Sequence, residues 1–356
     1  MTTAFDPHQL GGSTLKNRVG MAPMTRSRAE GDGTAASEMM ATYYAQRSTA
    51  GLIISEGIQP SPNGQGYTNT PGIHSAQQVE SWKPVTAAVH ANGGVIFAQL
   101  MHTGRIGHPS LLPAGLHPVA PSAIAAQGQV FTHAGMQEYV VPRELSDAEI
   151  EATISDFADA ARKAIEAGFD GVEIHGANGY LVHQFLSPYS NRRADAWGDG
   201  VEGRIRFAVR VADAVAAAIG GDKVGIRLSP GGVYNDMQED DIEATYRVLT
   251  AALVPLGLAY LHIMESAGQR ELTELLRKEW PSTFLLNPNT HPAPTGPEAL
   301  ALVEDGTADI ITFGALFLAN PDLPARLAAG GPFNAPDPAS FYGGGETGYL
   351  DYPALG

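Results

Sequence analysis

The chain has 356 residues, 38 Asp and Glu against 22 Lys and Arg, a net charge of −16 and no cysteine. Such a balance speaks against nonspecific binding to nucleic acid or to an anionic membrane, because phosphate contact needs clustered cations. The missing cysteines remove disulfides, thiolate nucleophiles, Cys-ligated zinc and iron–sulfur clusters from consideration. A hydrophobic fraction of 44% supports a large core. The opening Met-Thr-Thr-Ala-Phe-Asp-Pro lacks the basic and apolar stretches of a signal peptide, and no apolar run approaches the ~20 residues of a membrane helix. A cytoplasmic protein with no membrane or nucleic-acid partner is expected.

In chain order, short apolar strand candidates alternate with longer helical patterns. Residues 19–23 read as a first strand, followed by a helix over 37–50 with Ser37 at its N-cap. Residues 52–56 form the second strand, 75–91 the second helix and 94–101 the third strand. Ser146-Asp-Ala-Glu149 is a capping box that opens a helix stopped by Gly168, and 171–175 is the fourth strand. Helical patterns over 201–219, 240–253, 270–278, 296–305 and 321–329 then alternate with strands over 223–228, 258–263, 283–287 and 309–314. Eight strand–helix pairs are the count of a closed parallel barrel. The predicted fold is therefore α/β, a (β/α)8 TIM barrel forming one domain over residues 1–356. A doubly wound sheet would carry a dinucleotide-binding glycine fingerprint, which is missing.

Residues 103–143 interrupt the alternation after the third strand, on the face where barrels place active sites. A connection that long is usually functional or disordered. Phe131, Tyr139 and Val140-Val141 give it material to pack, so it is read as a lid inserted in the barrel. Residues 335–356, rich in Pro, Gly and Tyr, are expected to pack on the barrel as an ordered tail.

The most informative segment is His175-Gly-Ala-Asn178-Gly-Tyr180. A strand-like run delivers His175 at its end, and Asn178 and Tyr180 follow on a turn that Gly176 and Gly179 make flexible. His and Asn can donate to one oxygen and Tyr can supply a proton nearby. Such a set suits a conjugated carbonyl compound that accepts a hydride and then a proton. His175 alone reads as well as a satisfied barrel-top histidine, and a spacing match by itself proves nothing.

Alternation along strands puts Gln99 at the top of one face with Val95 and Phe97, and Arg227 on one face with Gly225. A charge inside an apolar strand is costly unless paired. An internal salt bridge from Arg227 to Glu173, which shares a face with His175, is one solution. Thr25, past Pro23 and Met24, is either a turn former or a site hydroxyl. His102 and Arg105 lie just past the third strand, and His262 sits inside the sixth, where packing is its simpler reading. No His-Glu-x-x-His pair supports a metal, and no Gly-x-Ser-x-Gly elbow supports a serine nucleophile.

Five segments taken together, in this order, resemble the Old Yellow Enzyme family of flavin-dependent ene-reductases. They are Asn17-Arg-Val-Gly-Met-Ala-Pro-Met-Thr25-Arg, Ala98-Gln99-Leu-Met-His-Thr-Gly-Arg105, His175-Gly-Ala-Asn178-Gly-Tyr180-Leu, Val224-Gly-Ile-Arg227-Leu-Ser-Pro, and Phe341-Tyr-Gly-Gly-Gly-x-x-Gly-Tyr-x-Asp-Tyr-Pro353. The resemblance runs from about Phe5 to the end. It implies FMN across the C-terminal mouth of the barrel and NAD(P)H as the reductant. Pro23, Met24 and Thr25 would line the flavin, Gly57 and Gln99 would hydrogen-bond its ring, and Arg227 would sit beside the isoalloxazine. His175 and Asn178 would hold the substrate carbonyl oxygen and Tyr180 would protonate the alpha carbon. Tyr67, Met101 and Tyr342 would shape the substrate pocket. Each donor aimed at a developing oxyanion is typically worth ~3 kcal/mol, and an unperturbed Tyr with a pKa of about 10 stays protonated at neutral pH.

One end departs from that pattern. Where the family commonly carries Gly-Arg to grip the flavin phosphate, the run is Thr312-Phe-Gly314-Ala315. The turn after the seventh strand is Leu286-Asn-Pro-Asn-Thr290-His-Pro, in which Pro288 removes a backbone donor. Backbone N–H groups, Gly314 among them, remain available to a phosphate. Weaker FMN binding, or a deazaflavin with a singly charged phosphodiester, follows as an expectation. The expected activity is ping-pong reduction of a small alpha,beta-unsaturated carbonyl or nitro compound by a monomer or homodimer. Two rivals are a flavin-free barrel isomerase or aldolase, which would need a lysine or carboxylate at its centre, and a barrel that has lost its cofactor.

Overall fold

A computed structural model describes residues 2–31 and 34–355. Eight parallel strands close into a barrel: β1 (Val19–Met21), β2 (Leu52–Ile58), β3 (Ile96–Leu100), β4 (Gly171–Gly176), β5 (Val224–Leu228), β6 (Tyr260–Met264), β7 (Thr283–Asn287) and β8 (Ile310–Phe313). Each strand pairs with the next in the chain, and β8 pairs with β1. Strands covered on both faces read as continuous apolar runs, and every residue of β2 is buried.

The helices between strands begin where side chains can cap them. Ser146 Oγ and the Ser146 N–H both donate to Glu149 Oε2, at 2.7 and 2.9 Å, ahead of the helix Asp147–Glu166. Its buried residues Ile150, Ile154, Phe157, Ala161 and Ala164 recur every three to four positions and face the barrel. Ser75 and Gln78 cap the helix Ala76–Ala91 reciprocally. Ser37 also stands at an N-cap, but its hydroxyl has no partner among the described residues and its N–H meets Met40 Sδ at 3.4 Å.

Several segments differ from expectation. The first strand stops at Met21, since Pro23 has no N–H to extend a ladder. An antiparallel pair, His8–Leu10 with Ser13–Leu15, was not foreseen; three residues are too few for a pattern. Its Leu10 and Leu15 pack with Leu52, Ile54, Phe97 and Leu285 in the barrel interior. Residues 103–143 contain a hairpin, Gln129–Thr132 with Gly135–Glu138, and a short parallel pairing of Val119–Ala120 with Arg143–Glu144. Past β8 the chain forms two helices, Ala315–Ala319 and Leu323–Ala329, where one was expected.

The tail is packed as expected, and arginines hold it. Arg26 donates to the carbonyls of Phe341 (2.8 Å) and Gly348 (3.0 Å). Tyr349 stacks on Tyr43 at 4.2 Å, with the Arg28 guanidinium 4.3 Å from its ring centre. These contacts bring Phe341 and Tyr342 to the C-terminal mouth of the barrel. Among the described residues no helix is long and apolar enough to cross a membrane, and no group of three metal-ligating side chains is assembled.

Candidate active site

A cavity of about 820 Å³ opens at the C-terminal ends of the strands, the face on which barrels of this kind carry chemistry. Every residue selected from the sequence lines it except Gly57: Pro23, Met24 and Thr25 beyond β1, Gln99 and Met101 at β3, His175, Asn178 and Tyr180 beyond β4, Arg227 on β5, Gly314 beyond β8, and Tyr67 and Tyr342 at the rim. An open groove of about 1070 Å³ along the helix Ile242–Leu253 has no comparable set of convergent groups.

Backbone geometry brings the first three polar groups together. Asn178 and Gly179 take left-handed conformations, φ +56° and +76°. A Cβ on Gly179 would lie 2.7 Å from the Tyr234 carbonyl oxygen, so glycine is required there. The turn is tied down on three sides. Asn178 N–H donates to Ser229 Oγ at 3.0 Å, Asn235 Nδ2 donates to the Asn178 carbonyl at 2.7 Å, and Gly179 N–H donates to His183 Nδ1 at 3.0 Å. His183 and Tyr246 in turn meet Glu239 Oε1, at 3.2 and 2.9 Å.

His175 is buried, and its Nδ1 accepts from the Ala177 N–H at 3.3 Å. Burial, then the Arg227 charge, hold its pKa well below the usual histidine value. The ring is therefore neutral with its single hydrogen on Nε2, a donor. Tyr180 packs edge-on against it at 4.9 Å. Burial pushes the Tyr180 phenol up to about 12, against the pull of a hydrogen bond from Tyr67. The Asn178 side-chain oxygen is buried without a partner among the described residues, and turning the amide over presents its NH2 as a donor to a ligand oxygen.

Arg227 is 4% exposed. One guanidinium nitrogen donates to Asn287 Oδ1 at 3.2 Å, and Nε is buried with no partner among the described residues. The salt bridge to Glu173 considered from sequence is not formed. Glu173 instead accepts from Gln99 and Tyr260 and meets His262 Nδ1 at 2.8 Å. Gly57 lies behind Met101 rather than on the cavity wall. The β2–β3 register slips between Ile54 and Gly57, and a Cβ on Gly57 would lie 2.6 Å from Met101 Sδ. Gly57 makes room for Met101, and Met101 faces the cavity in its place.

His102 and Arg105 serve the loops. His102 Nδ1 accepts from Gly104 N–H at 3.1 Å, and Arg105 donates to the Asp236 carbonyl at 2.7 Å. Sequence reasoning passed over Asn287, although a polar residue at the top of a barrel strand is the signal that selected Gln99. It also passed over Tyr234 and Phe341, and took Phe131 only as packing material. All three line the cavity, Phe131 from the hairpin strand Gln129–Thr132 and the other two from a loop and the tail, where no period marks them.

The sequence profile of the NADH:flavin oxidoreductase / NADH oxidase family matches residues 3–334. The chain belongs to that family. This flavin oxidoreductase is 41% identical over 357 residues to a probable flavin mononucleotide-dependent alkene reductase of Leishmania infantum, covering 98% of this chain and 96% of that one. It is 41% identical over 361 residues to 12-oxophytodienoate reductase 1 of Oryza sativa subsp. japonica, covering 98% and 92%. Among solved structures, the old yellow enzyme homologue from Zymomonas mobilis superposes with a TM-score of 0.95 at 41% identity, covering 99% of this chain and 100% of that one. Morphinone reductase superposes with a TM-score of 0.93 at 42% identity, covering 99% and 96%. The oxidoreductase is thus an enzyme on a (β/α)8 barrel, in agreement with the resemblance read from its motifs.

Proposed function

We propose that this oxidoreductase is an FMN-dependent ene-reductase that uses NAD(P)H to reduce the activated C=C of a small alpha,beta-unsaturated carbonyl or nitro compound. The observation that carries the reading is the meeting of three groups on one cavity wall: a neutral imidazole donor on His175, a free amide on Asn178 and a protonated phenol on Tyr180. The unpartnered Nε of Arg227, buried beside them, suits an electron-rich ring. The family and the relative named for flavin mononucleotide support FMN, and no comparison points to a deazaflavin.

The redox chemistry, transfer of two electrons from NAD(P)H to the beta carbon of the alkene, is supplied by FMN when bound. Pro23, Met24, Thr25, Gln99 and Arg227 would hold the ring, and Gly314 with Ala315 would meet the phosphate end at the loops after β7 and β8. His175 Nε2–H and the Asn178 amide bind the substrate oxygen, on which negative charge grows as the beta carbon is reduced. Each donor is worth ~3 kcal/mol to that charge. Tyr180 then gives its proton to the alpha carbon, which is far more basic than a phenolate, and regains one from solvent. Tyr67, Met101 and Tyr342 bound the substrate space, and the hairpin Gln129–Thr132 with Gly135–Glu138 acts as its lid.

A flavin-free isomerase or aldolase is disfavoured because, among the described residues, no lysine or carboxylate lines the cavity. The test is direct. The purified protein should be yellow and release FMN by mass, and its reduced form should be reoxidised by an enone faster than by buffer alone. A colourless protein that FMN does not reconstitute would refute the reading.

A further inference from the structure

Beneath the cavity floor lies a carboxylate that the steps above do not use. Glu173 of β4 is 0% exposed and precedes His175 by two residues on the same face of the strand. Gln99 Nε2 lies 2.8 Å from its Oε1, while Tyr260 OH (3.1 Å) and His262 Nδ1 (2.8 Å) meet its Oε2. The barrel is shaped for this convergence. Gln99 and Glu173 are register partners across β3 and β4, and Gly225 stands between Glu173 and Tyr260 in the register of β4, β5 and β6. A Cβ on Gly225 would lie 2.1 Å from Tyr260 Cζ. Only glycine lets the phenol cross β5 to reach the carboxylate. On the far side of the imidazole, His262 Nε2 lies 3.0 Å from Thr312 Oγ1, so the ring is held between a carboxylate and a hydroxyl.

The consequence reaches the cavity through Gln99. Gln99 Nε2 and Tyr260 OH both donate to Glu173, the pattern an acceptor-only carboxylate requires, so the Gln99 amide nitrogen is the end that faces it. Its carbonyl oxygen is left for the cavity that Gln99 lines. On the neighbouring side of β4, Arg227 brings donors to the same cavity, its Nε unpartnered among the described residues. The floor therefore presents an acceptor together with donors. That pattern matches a planar heterocycle whose ring N–H is flanked by carbonyl oxygens, as on the pyrimidine edge of a flavin.

We infer that Glu173 is a positioning residue for the cofactor: it locks the Gln99 amide with its oxygen toward the ring and sets a fixed negative charge beneath it, opposite in sign to Arg227. The inference rests on the flavin reading of the cavity and extends it to ring recognition and redox poise.

The test uses FMN titration of the apoprotein, with the midpoint potential and visible spectrum of the reconstituted protein. In Glu173→Gln the new amide can donate to the Gln99 oxygen, and Gln99 is free to turn its N–H toward the ring. The FMN Kd should rise about tenfold, the scale of one lost hydrogen bond, and the potential should move positive as the buried charge is removed. The double variant Q99E/E173Q keeps one carboxylate and one amide in the pair and returns an acceptor to the cavity. Its Kd should fall back to within roughly threefold of wild type. A folded E173Q protein with unchanged Kd and potential overturns the inference. If E173Q does not fold, Glu173→Asp keeps the charge but is one methylene too short for Gln99; a folded E173D protein with unchanged Kd and spectrum overturns it equally. Failure of both variants to fold would assign Glu173 to stability alone. Wild-type apoprotein that binds no flavin sinks the functional reading as well, whereas normal wild-type binding with unaltered variants sinks only this inference.

Discussion

The hydroxyl oxygens of Tyr67 and Tyr180 lie 2.9 Å apart, with their rings at 86° to each other. A single hydrogen occupies the contact. If Tyr67 donates it, the Tyr180 hydrogen is left for the cavity. Tyr180→Phe should then slow alkene reduction by about 10²- to 10⁴-fold, the range for a lost general acid, and spare reduction of the flavin by NAD(P)H. Tyr67→Phe should slow the same half-reaction by about tenfold, the scale of one hydrogen bond. Stopped-flow measurement of the two half-reactions separates these effects. An equal loss in both would remove Tyr180 as the proton donor.

His175 should stay neutral across the working pH range. Burial and the Arg227 charge both hold its pKa well below the usual value, so its charged form is confined to acid. The KM for a neutral enone should be flat between about pH 6 and 8, the window in which an unperturbed histidine titrates. His175→Leu should lower kcat/KM about 100-fold, the effect of one lost oxyanion donor. A KM that follows a histidine titration in the wild type, and not in the variant, would show that the ring is charged in the working enzyme.

Glu56 of β2 sets a pH dependence of stability. It is buried, with Oε2 unpartnered among the described residues, and burial raises its pKa to about 7 against the pull of Arg26. The folded state therefore holds the Glu56 proton more tightly than the unfolded chain, whose value is near 4.5. The resulting stabilisation is complete below the unfolded pKa and is lost as pH rises through 7, with a span of about 3 kcal/mol. Glu56→Gln stays neutral and escapes that loss. Denaturant melts at pH 5 and pH 8 should show the variant gaining on the wild type at the higher pH. A gap that does not change with pH would mean that the neighbouring arginines compensate the charge.

The His183 imidazole joins the site turn to Glu239, accepting from Gly179 N–H on one side and meeting the carboxylate on the other. His183→Leu strands the Gly179 N–H and takes one of three partners from Glu239, and should cost about 2 kcal/mol of stability. It should also raise the KM for the enone, because the backbone that aims Asn178 loses an anchor. His183→Asn can place its side-chain oxygen near the position of Nδ1 and accept from Gly179. It should recover most of the KM, while Glu239 keeps only Tyr246 OH and the Gly231 N–H as partners and stability stays low. If KM is the same in the Leu and Asn variants, the Gly179 contact does not aim the turn.

Much of this enzyme was legible in its sequence wherever the controlling physics is local. Strand and helix periods follow from side-chain direction over a few residues, and their alternation specifies a barrel. His175, Asn178 and Tyr180 sit within six positions, so one turn brings them together. Period-2 alternation alone put Gln99 and Arg227 at the top of their strands. The setting of Gly57 was not legible, because it depends on a slipped register with β3, and a register is a relation between two strands.

The sequence by itself determined the barrel, the face that carries the site and the polar groups placed there. Only the tertiary structure decided their partners: Asn287 rather than Glu173 for Arg227, Glu173 for Gln99, and Tyr67 for Tyr180 from 113 positions away. A strand's own pattern dictates which way a side chain points. What it meets depends on chain closure around the barrel, on loops that carry no period, and on where a glycine leaves space for another residue's ring.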